Sequence, residues 1–233
     1  MRRSVRVTVV IKPRIYLTAD SRLLFRQHAG RRPLLESIRA AAPRGSVKAA
    51  YLGACNGDRP EFFAIFEAAM RLAGVAERRH VTAGFGADER GFLAEADIVV
   101  LSGGDAARGW SVFEATGIAG AVRQRYRDGA VLVGVSAGAV QLGAGFADAA
   151  RGFVPAFGFV PRVIDVHDEE SGWRRLEHSV RAAGSDAVGV GIPWGGGVVV
   201  GAAADLHAVG EPAVALSRHG DHLVQTTLPV PDP

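Results

Sequence analysis

Short apolar runs alternate with amphipathic stretches along most of the chain. Arg14–Thr18 reads as a strand. Pro33–Ala42 reads as a helix, with proline near its start, where a missing N–H costs nothing. Val47–Gly53 and Asp97–Ser102 hold apolar runs of strand length, the pattern of strands covered on both faces. Pro60–Ala73 sets Phe62, Phe63, Phe66 and Met70 at helical spacing, with Asp58 as candidate cap and Gly74 as candidate stop. Trp110–Asp128 reads as mostly helical. Ala130–Val135 is a further buried strand that runs straight into Ser136-Ala137-Gly138, and a helix follows to about Leu142. Trp173–Ala183 is an amphipathic helix. From Ala187 onward the pattern shortens to strands at Val188–Ile192, Val198–Gly201, Leu206–Val209, Ala213–Leu216 and His222–Leu228.

Strand–helix alternation over about the first 145 residues predicts an α/β fold, a mostly parallel sheet with helices on both faces. The strand-rich C-terminal end predicts an antiparallel extension of the same sheet. No repeat or linker divides the chain. Its 233 residues, 48 % of them hydrophobic, suffice for one core, so residues 1–233 read as a single domain. In open α/β sheets, sites form at the carboxyl ends of strands. Two such ends carry unusual residues: Ser102-Gly103-Gly104-Asp105 and Gly134–Gly138.

Composition narrows the function classes. Charged residues make up 22 %, which excludes wholesale disorder. One cysteine, Cys55, excludes a disulfide scaffold or a multi-thiolate zinc site and fits a reducing compartment. The net charge is +3, and 25 of the 27 basic residues are arginines scattered along the chain. No aromatic-interleaved basic stripe exists, so no nucleic-acid partner is expected. Ala130–Ala147 and Ala187–Ala204 each run 18 residues without a charge, the lower limit for a membrane span. Glycines interrupt both and Pro193 breaks the second, so buried strands explain them better. Val7–Ile11 is too short for a signal peptide. The expectation is a soluble cytoplasmic protein without a membrane partner. Neither G-x-G-x-x-G, a P-loop nor metal-ligand spacing is present, so no cofactor or metal is expected.

Gly134-Val135-Ser136-Ala137-Gly138 fits G-x-S-x-G, in which a sharp strand-to-helix turn holds a serine hydroxyl exposed at a helix start. The Ala137 amide can then stabilise an oxyanion. A Gly/Ala-rich turn without chemistry is the alternative. The tandem Gly103-Gly104 lets backbone approach a ligand and can supply a second oxyanion donor, or it simply makes a tight turn. A serine nucleophile needs a histidine. His167 follows a short apolar run and is the preferred candidate. Asp165, Asp168, Glu169 and Glu170 surround it, which also suits a solvated acidic loop. Cys55 reads as a buried or loop thiol.

Taken in order, these residues resemble the peptidase S51 family, which includes aspartyl dipeptidase (peptidase E) and cyanophycinase. The resemblance spans roughly Arg14 to Leu216. It rests on Tyr51-Leu-Gly-Ala, Leu101-Ser-Gly-Gly-Asp105, Gly134-Val-Ser-Ala-Gly-Ala139, Ile164-Asp-Val-His167, Gly189-Val-Gly-Ile-Pro193 and Gly210-Glu-Pro-Ala-Val-Ala215. It implies the class I glutamine amidotransferase-like, flavodoxin-like three-layer sandwich. It also implies a cofactor-free serine peptidase acting on a small peptide or amide. Ser136 would be the nucleophile, His167 the base, and Gly104 and Ala137 the oxyanion donors. Gly103, Asp105, Trp194 and Arg162 are candidate substrate-binding residues, and a homodimer is a possible assembly.

One departure stands out. The family places a carboxylate after the strand end that reads Ile192-Pro193 here, and this chain has Trp194. Indole cannot accept the histidine N–H as a carboxylate does. Losing such an orienter can cost about 10⁴ in turnover. Asp165 or Asp168 are the substitutes expected, Asp165 first. The alternatives are a repurposed acyl-transfer or maturation enzyme on a peptide-derived natural product, and a catalytically silent binding protein. An α/β-hydrolase esterase shares the turn but needs a later acid and then histidine, for which Asp205/His207 and Asp221/His222 are loose candidates.

Overall fold

The computed structural model describes residues 15–43, 45–201, 205–220 and 222–231. Val7–Ile11, Arg14, Ala202–Ala204 and Asp221 lie outside the described residues.

From β1 (Ile15–Thr18) the chain runs through the one-turn α1 (Arg22–Phe25) and α2 (Pro33–Ala41) to β2 (Lys48–Leu52). Then come α3 (Pro60–Leu72), β3 (Glu77–Val81), α4 (Ala87–Glu95), β4 (Ile98–Leu101), α5 (Ala106–Thr116), α6 (Ile118–Arg127) and β5 (Val131–Val135). After α7 (Ala137–Leu142), β6 (Gly145–Asp148) and β7 (Gly152–Pro155) form a hairpin, and β8 (Val163–Val166) leads to α8 (Arg174–Ala183). The rest is β9 (Val188–Ile192), β10 (Gly197–Val200), β11 (Leu206–Val209), β12 (Ala213–His219) and β13 (His222–Leu228).

The main sheet has seven strands in the order β11-β10-β1-β5-β4-β2-β3. The five strands from β1 to β3 are parallel, and β10 and β11 join antiparallel. Successive strand residues face opposite sides of a sheet, and the apolar strands divide accordingly. Tyr16, Ala49, Tyr51, Val100 and Val133 pack under α2 and α3 with Leu35, Ile38, Phe66 and Met70. Leu17, Ala50, Leu52, Val99, Leu101 and Leu132 pack on the other face with Trp110, Phe113, Ile118 and Val122 of α5 and α6. This is the expected three-layer α/β sandwich.

Several details differ from the sequence expectation. The C-terminal strands do not all extend the main sheet. Only β10 and β11 do so, while β9, β12 and β13 join β8 in a second sheet ordered β13-β12-β9-β8. That sheet has its own apolar contact, with Trp173, Leu176 and Val180 packed on Val163 and Leu216. The helical stretch ending at Asp128 begins earlier, at Ala106, and breaks at Gly117, whose φ of +84° is left-handed. Asp58 does not cap α3. It accepts the Ala83 amide at 2.8 Å and lies 3.4 Å from His80, while Asn56 Oδ1 accepts the Arg59 amide at 3.2 Å.

Leu17 and Leu101 both register with Gly134, so β1, β5 and β4 end at one level. Ala19-Asp20, Ser136 and Ser102–Gly104 therefore emerge side by side at the carboxyl edge. Phe113 is fully enclosed between the sheet and α6. Phe113→Ala is expected to cost about 3–5 kcal/mol, read as a lower urea midpoint with unchanged slope.

Candidate active site

Ser136 follows β5 directly and precedes α7, with φ 51° and ψ −113°. Such a conformation costs a non-glycine residue about 1–3 kcal/mol and persists only where its surroundings over-determine it. Here the Ser136 amide donates to Thr18 O at 2.8 Å, and its carbonyl accepts the Ala139 amide at 2.9 Å. Gly138 lies so close to β4 that a Cβ there would strike the Leu101 carbonyl oxygen. The turn leaves the Ser136 hydroxyl half-buried at the edge of a cleft.

The loop after β4 forms the facing wall. A Cβ on Gly103 would stand 3.3 Å from Ser136 Cβ, so this backbone runs beside the hydroxyl. Gly104 has φ +133°, and a Cβ there would collide with the Cys55 carbonyl; only glycine fits. Asp105 caps α5 by accepting the Arg108 amide at 3.0 Å, and its own amide donates to Cys55 O at 2.9 Å. The amides of Gly104 and Ala137 donate to no backbone carbonyl among the described residues.

His167 comes from the second sheet. Its amide donates to Ile192 O at 3.1 Å, and its φ of 52° turns the chain out of β8. Its Nε2 lies 2.9 Å from Ser136 Oγ. The imidazole stacks on the Trp194 indole with ring centroids 3.9 Å apart and planes at 28°. Burial pulls the His167 pKa below the ordinary imidazole value, opposed by the negative charges of Asp20 and Glu169. Arg175 and Arg22 add to the depression. A neutral ring near pH 7 follows, the form whose Nε2 can accept a hydroxyl proton. Its buried Nδ1 has no hydrogen-bond partner among the described residues.

Asp165 is therefore not the orienting acid that the sequence suggested. Its carboxylate accepts Arg175 Nε at 2.9–3.0 Å, Arg175 Nη2 at 2.7 Å and the Val166 amide at 2.8 Å. Burial raises its pKa, with Arg175 opposing. Asp168 accepts the Arg175 amide at 2.8 Å. The acidic loop is thus only partly solvated: Glu170 is exposed, while Asp165 and Asp168 are buried and anchor the start of α8. Arg162 also falls away from the cleft. It donates to the Pro161 carbonyl and lines a separate surface hollow with Pro161, Ala183 and Asp186. His207, on β11 at the edge of the main sheet, pairs with Asp205, while the histidine bonded to Ser136 is His167; of the other loose pair, Asp221 lies outside the described residues.

Asp20, which sequence reasoning passed over, and Glu169, read there only as part of an acidic loop, complete the setting. Asp20, at the carboxyl end of β1, accepts the Arg22 amide at 2.7 Å and the Gly195 amide at 2.9 Å. Glu169 Oε1 accepts the Trp194 amide at 2.9 Å, while its Oε2 is buried without a hydrogen-bond partner. The position of Asp20 after a parallel strand was a usable signal; the long reach from Glu169 to Trp194 had none. Trp194 is 49 % exposed, and the Arg22 guanidinium lies 5.1 Å from its ring. Cys55 is buried in the core, and desolvation pushes its pKa up to about 12, which removes it as a nucleophile. Among the described residues no cluster of three or more His, Cys, Asp or Glu side chains could hold a metal ion. None of their helices is long and apolar enough to cross a membrane.

The family model described as Peptidase family S51 matches residues 37–181, which include the Ser136 turn, the Gly103-Gly104 loop and His167. The chain belongs to peptidase family S51. Hydrolysis of peptide bonds is accordingly the class of activity this membership supports. The fold is similar to the crystal structure of a peptidase from an acI-B1 Actinobacterium, with TM-score 0.68 and 13 % identity over 95 % of this chain and 96 % of that one. It is also similar to a peptidase E candidate from Listeria monocytogenes EGD-e, with TM-score 0.56 and 13 % identity over 93 % and 98 % of the chains. No curated protein matches the sequence significantly.

Arg175→Met would leave the Asp165 carboxylate buried and uncompensated. The expected loss is about 1–3 kcal/mol, less than for a fully buried pair because the Arg175 side chain is partly exposed. Denaturant unfolding measures it.

Proposed function

We propose that this S51 member is a serine peptidase or amidohydrolase that cleaves a small peptide or isopeptide bond through an acyl-enzyme on Ser136. The observation that carries the reading is the 2.9 Å approach of Ser136 Oγ to His167 Nε2 at a strained strand-to-helix turn. In this mechanism Ser136 Oγ attacks the carbonyl carbon as His167 Nε2 takes its proton. The amides of Gly104 and Ala137 hold the oxyanion. His167 returns the proton to the leaving amine, and the acyl-enzyme remains. Water, deprotonated by the same nitrogen, then releases the acid.

Trp194 takes a different part from the carboxylate it replaces. Stacking fixes the plane of the His167 ring and covers one face. Glu169 and Asp20 contribute negative potential without touching Nδ1. The second reading, a silent binding protein, draws on that unpartnered Nδ1.

Intact-mass analysis after exposure to a fluorophosphonate separates the two. A single adduct, lost in Ser136→Ala and in His167→Ala, is the expected result. No adduct in the folded wild-type protein would instead favour the silent reading. Trp194→Ala should slow labelling by about 100-fold, the scale of a misplaced reacting group, while leaving the thermal midpoint nearly unchanged.

The pH dependence follows from the depressed pKa of His167. Because the base must be neutral, kcat/KM falls as pH drops through that pKa, so the acid limb lies below about 6.5. Glu169→Gln removes a charge that raises this pKa and should move the limb to still lower pH. A limb that stays in place would show that Glu169 does not act on His167.

A further inference from the structure

Ser136, His167 and Gly104 stand in a wall shared by two hollows. One has a volume of about 220 Å³. That is below the roughly 300–1,000 Å³ of small-molecule sites and suits a single side chain. Its walls are one side of α3 (exposed Phe62 and Ile65, buried Phe66 and Met70), the β5 residue Val133 and the indole of Trp194. Of six large hydrophobic side chains exposed among the described residues, three, Phe62, Ile65 and Trp194, ring this hollow. Exposed apolar surface gathered at one place marks recognition more than chance.

Charge in the hollow points the same way. Among the described residues neither lysine nor arginine lines it; its titratable members are Asp20, His167 and Tyr51, whose phenol burial keeps neutral. Asp20 is already committed to Arg22 and the Gly195 amide. The Arg22 and Arg59 guanidiniums reach only its rim, over Trp194 and Phe62, where Asp20 and Glu61 already pair with them, so an acidic substrate side chain would enter with no free cation in the wall and a carboxylate nearby, a costly burial. On the other side of Ser136, the second hollow holds Asp105, Asp165, Arg175 and Ser179. Arg175 is the cation there, and Asp165 and Asp168 already engage it.

We propose that the hollow beside Ser136 selects a substrate with an aliphatic or aromatic side chain next to the scissile bond, and rejects acidic ones. This rests on Ser136 as nucleophile. A carbonyl seated over Ser136 places one flanking side chain against α3 and Trp194. The polar hollow takes the group on the other side of the bond.

The test uses the full chain and diphenyl aminoalkylphosphonates bearing Leu, Phe, Asp or Lys side chains, with a plain fluorophosphonate as reference. Ser136 displaces phenoxide from phosphorus, and intact mass follows the rate. The Leu and Phe probes should label at least about 10-fold faster than the Asp and Lys probes, the discrimination an apolar pocket supplies. Ile65→Arg, at a position 39 % exposed and so tolerant of change, should erase that preference or turn it toward Asp. Equal rates, or faster labelling by Asp in the wild type, would overturn the specificity while leaving the nucleophile intact. An Ile65→Arg profile identical to wild type would overturn the assignment of this wall. Failure of every probe, the fluorophosphonate included, would sink the nucleophile and this proposal with it.

Discussion

The left-handed backbone at Ser136 is the constraint on which the rest of the site depends. A β-to-α turn this sharp keeps the serine amide bonded to Thr18 while its carbonyl already serves α7. Neighbouring packing leaves no relaxed alternative, because Gly138 sits against the Leu101 carbonyl and β1, β5 and β4 end in register. His167 has the same kind of strain, with φ 52°. Two non-glycine residues at positive φ, 2.9 Å apart through their side chains, are hard to account for by folding alone. Each costs stability, and the apolar three-layer core supplies enough to hold both.

The two sheets divide the work. The main sheet positions the serine, the glycine loop and Asp20 at its carboxyl edge. The second sheet delivers His167 and Trp194 from the adjacent carboxyl ends of β8 and β9, tied by the His167 amide to Ile192 O. The Arg175–Asp165–Asp168 cluster stiffens the segment between them. Charges that look catalytic in sequence are here spent on holding a loop.

Much of this was legible in the sequence, and the failures have physical causes. Uninterrupted apolar runs identify β2, β4 and β5 because both faces of those strands are covered. β3 escaped because Glu77-Arg78-Arg79-His80-Val81 is a polar edge strand, and α4 because Leu93 is its one buried residue. The split of the C-terminal strands into two sheets was invisible, since alternation reveals a strand but not its partner. Ser136, Gly103, Gly104 and His167 are motif residues on strand ends, so topology brings them together. Asp165 misled because nearness to His167 in sequence does not tell which way a carboxylate points. The positive φ at His167 turns the chain out of β8, while Asp165 faces Arg175 at the start of α8.

An indole against the proposed base, where the family resemblance leads one to expect a carboxylate, acts on its electrostatics in two opposite ways. Indole stacked on the ring removes water and so favours neutral imidazole, which keeps the base ready to accept a proton. The same desolvation would make an imidazolium formed during attack more expensive, and among the described residues no hydrogen-bonded anion offsets that at Nδ1. Asp20 and Glu169 offset part of it through space, in a partly buried cleft where charges are screened less than in water. In the proposed mechanism, stabilisation of the developing oxyanion by the Gly104 and Ala137 amides would then carry a larger share of the barrier reduction. Binding of an apolar side chain against Trp194 would dry the cleft further and strengthen each of these interactions. On the proposed mechanism, substrate selection and activation of the base would thus be coupled through one aromatic residue.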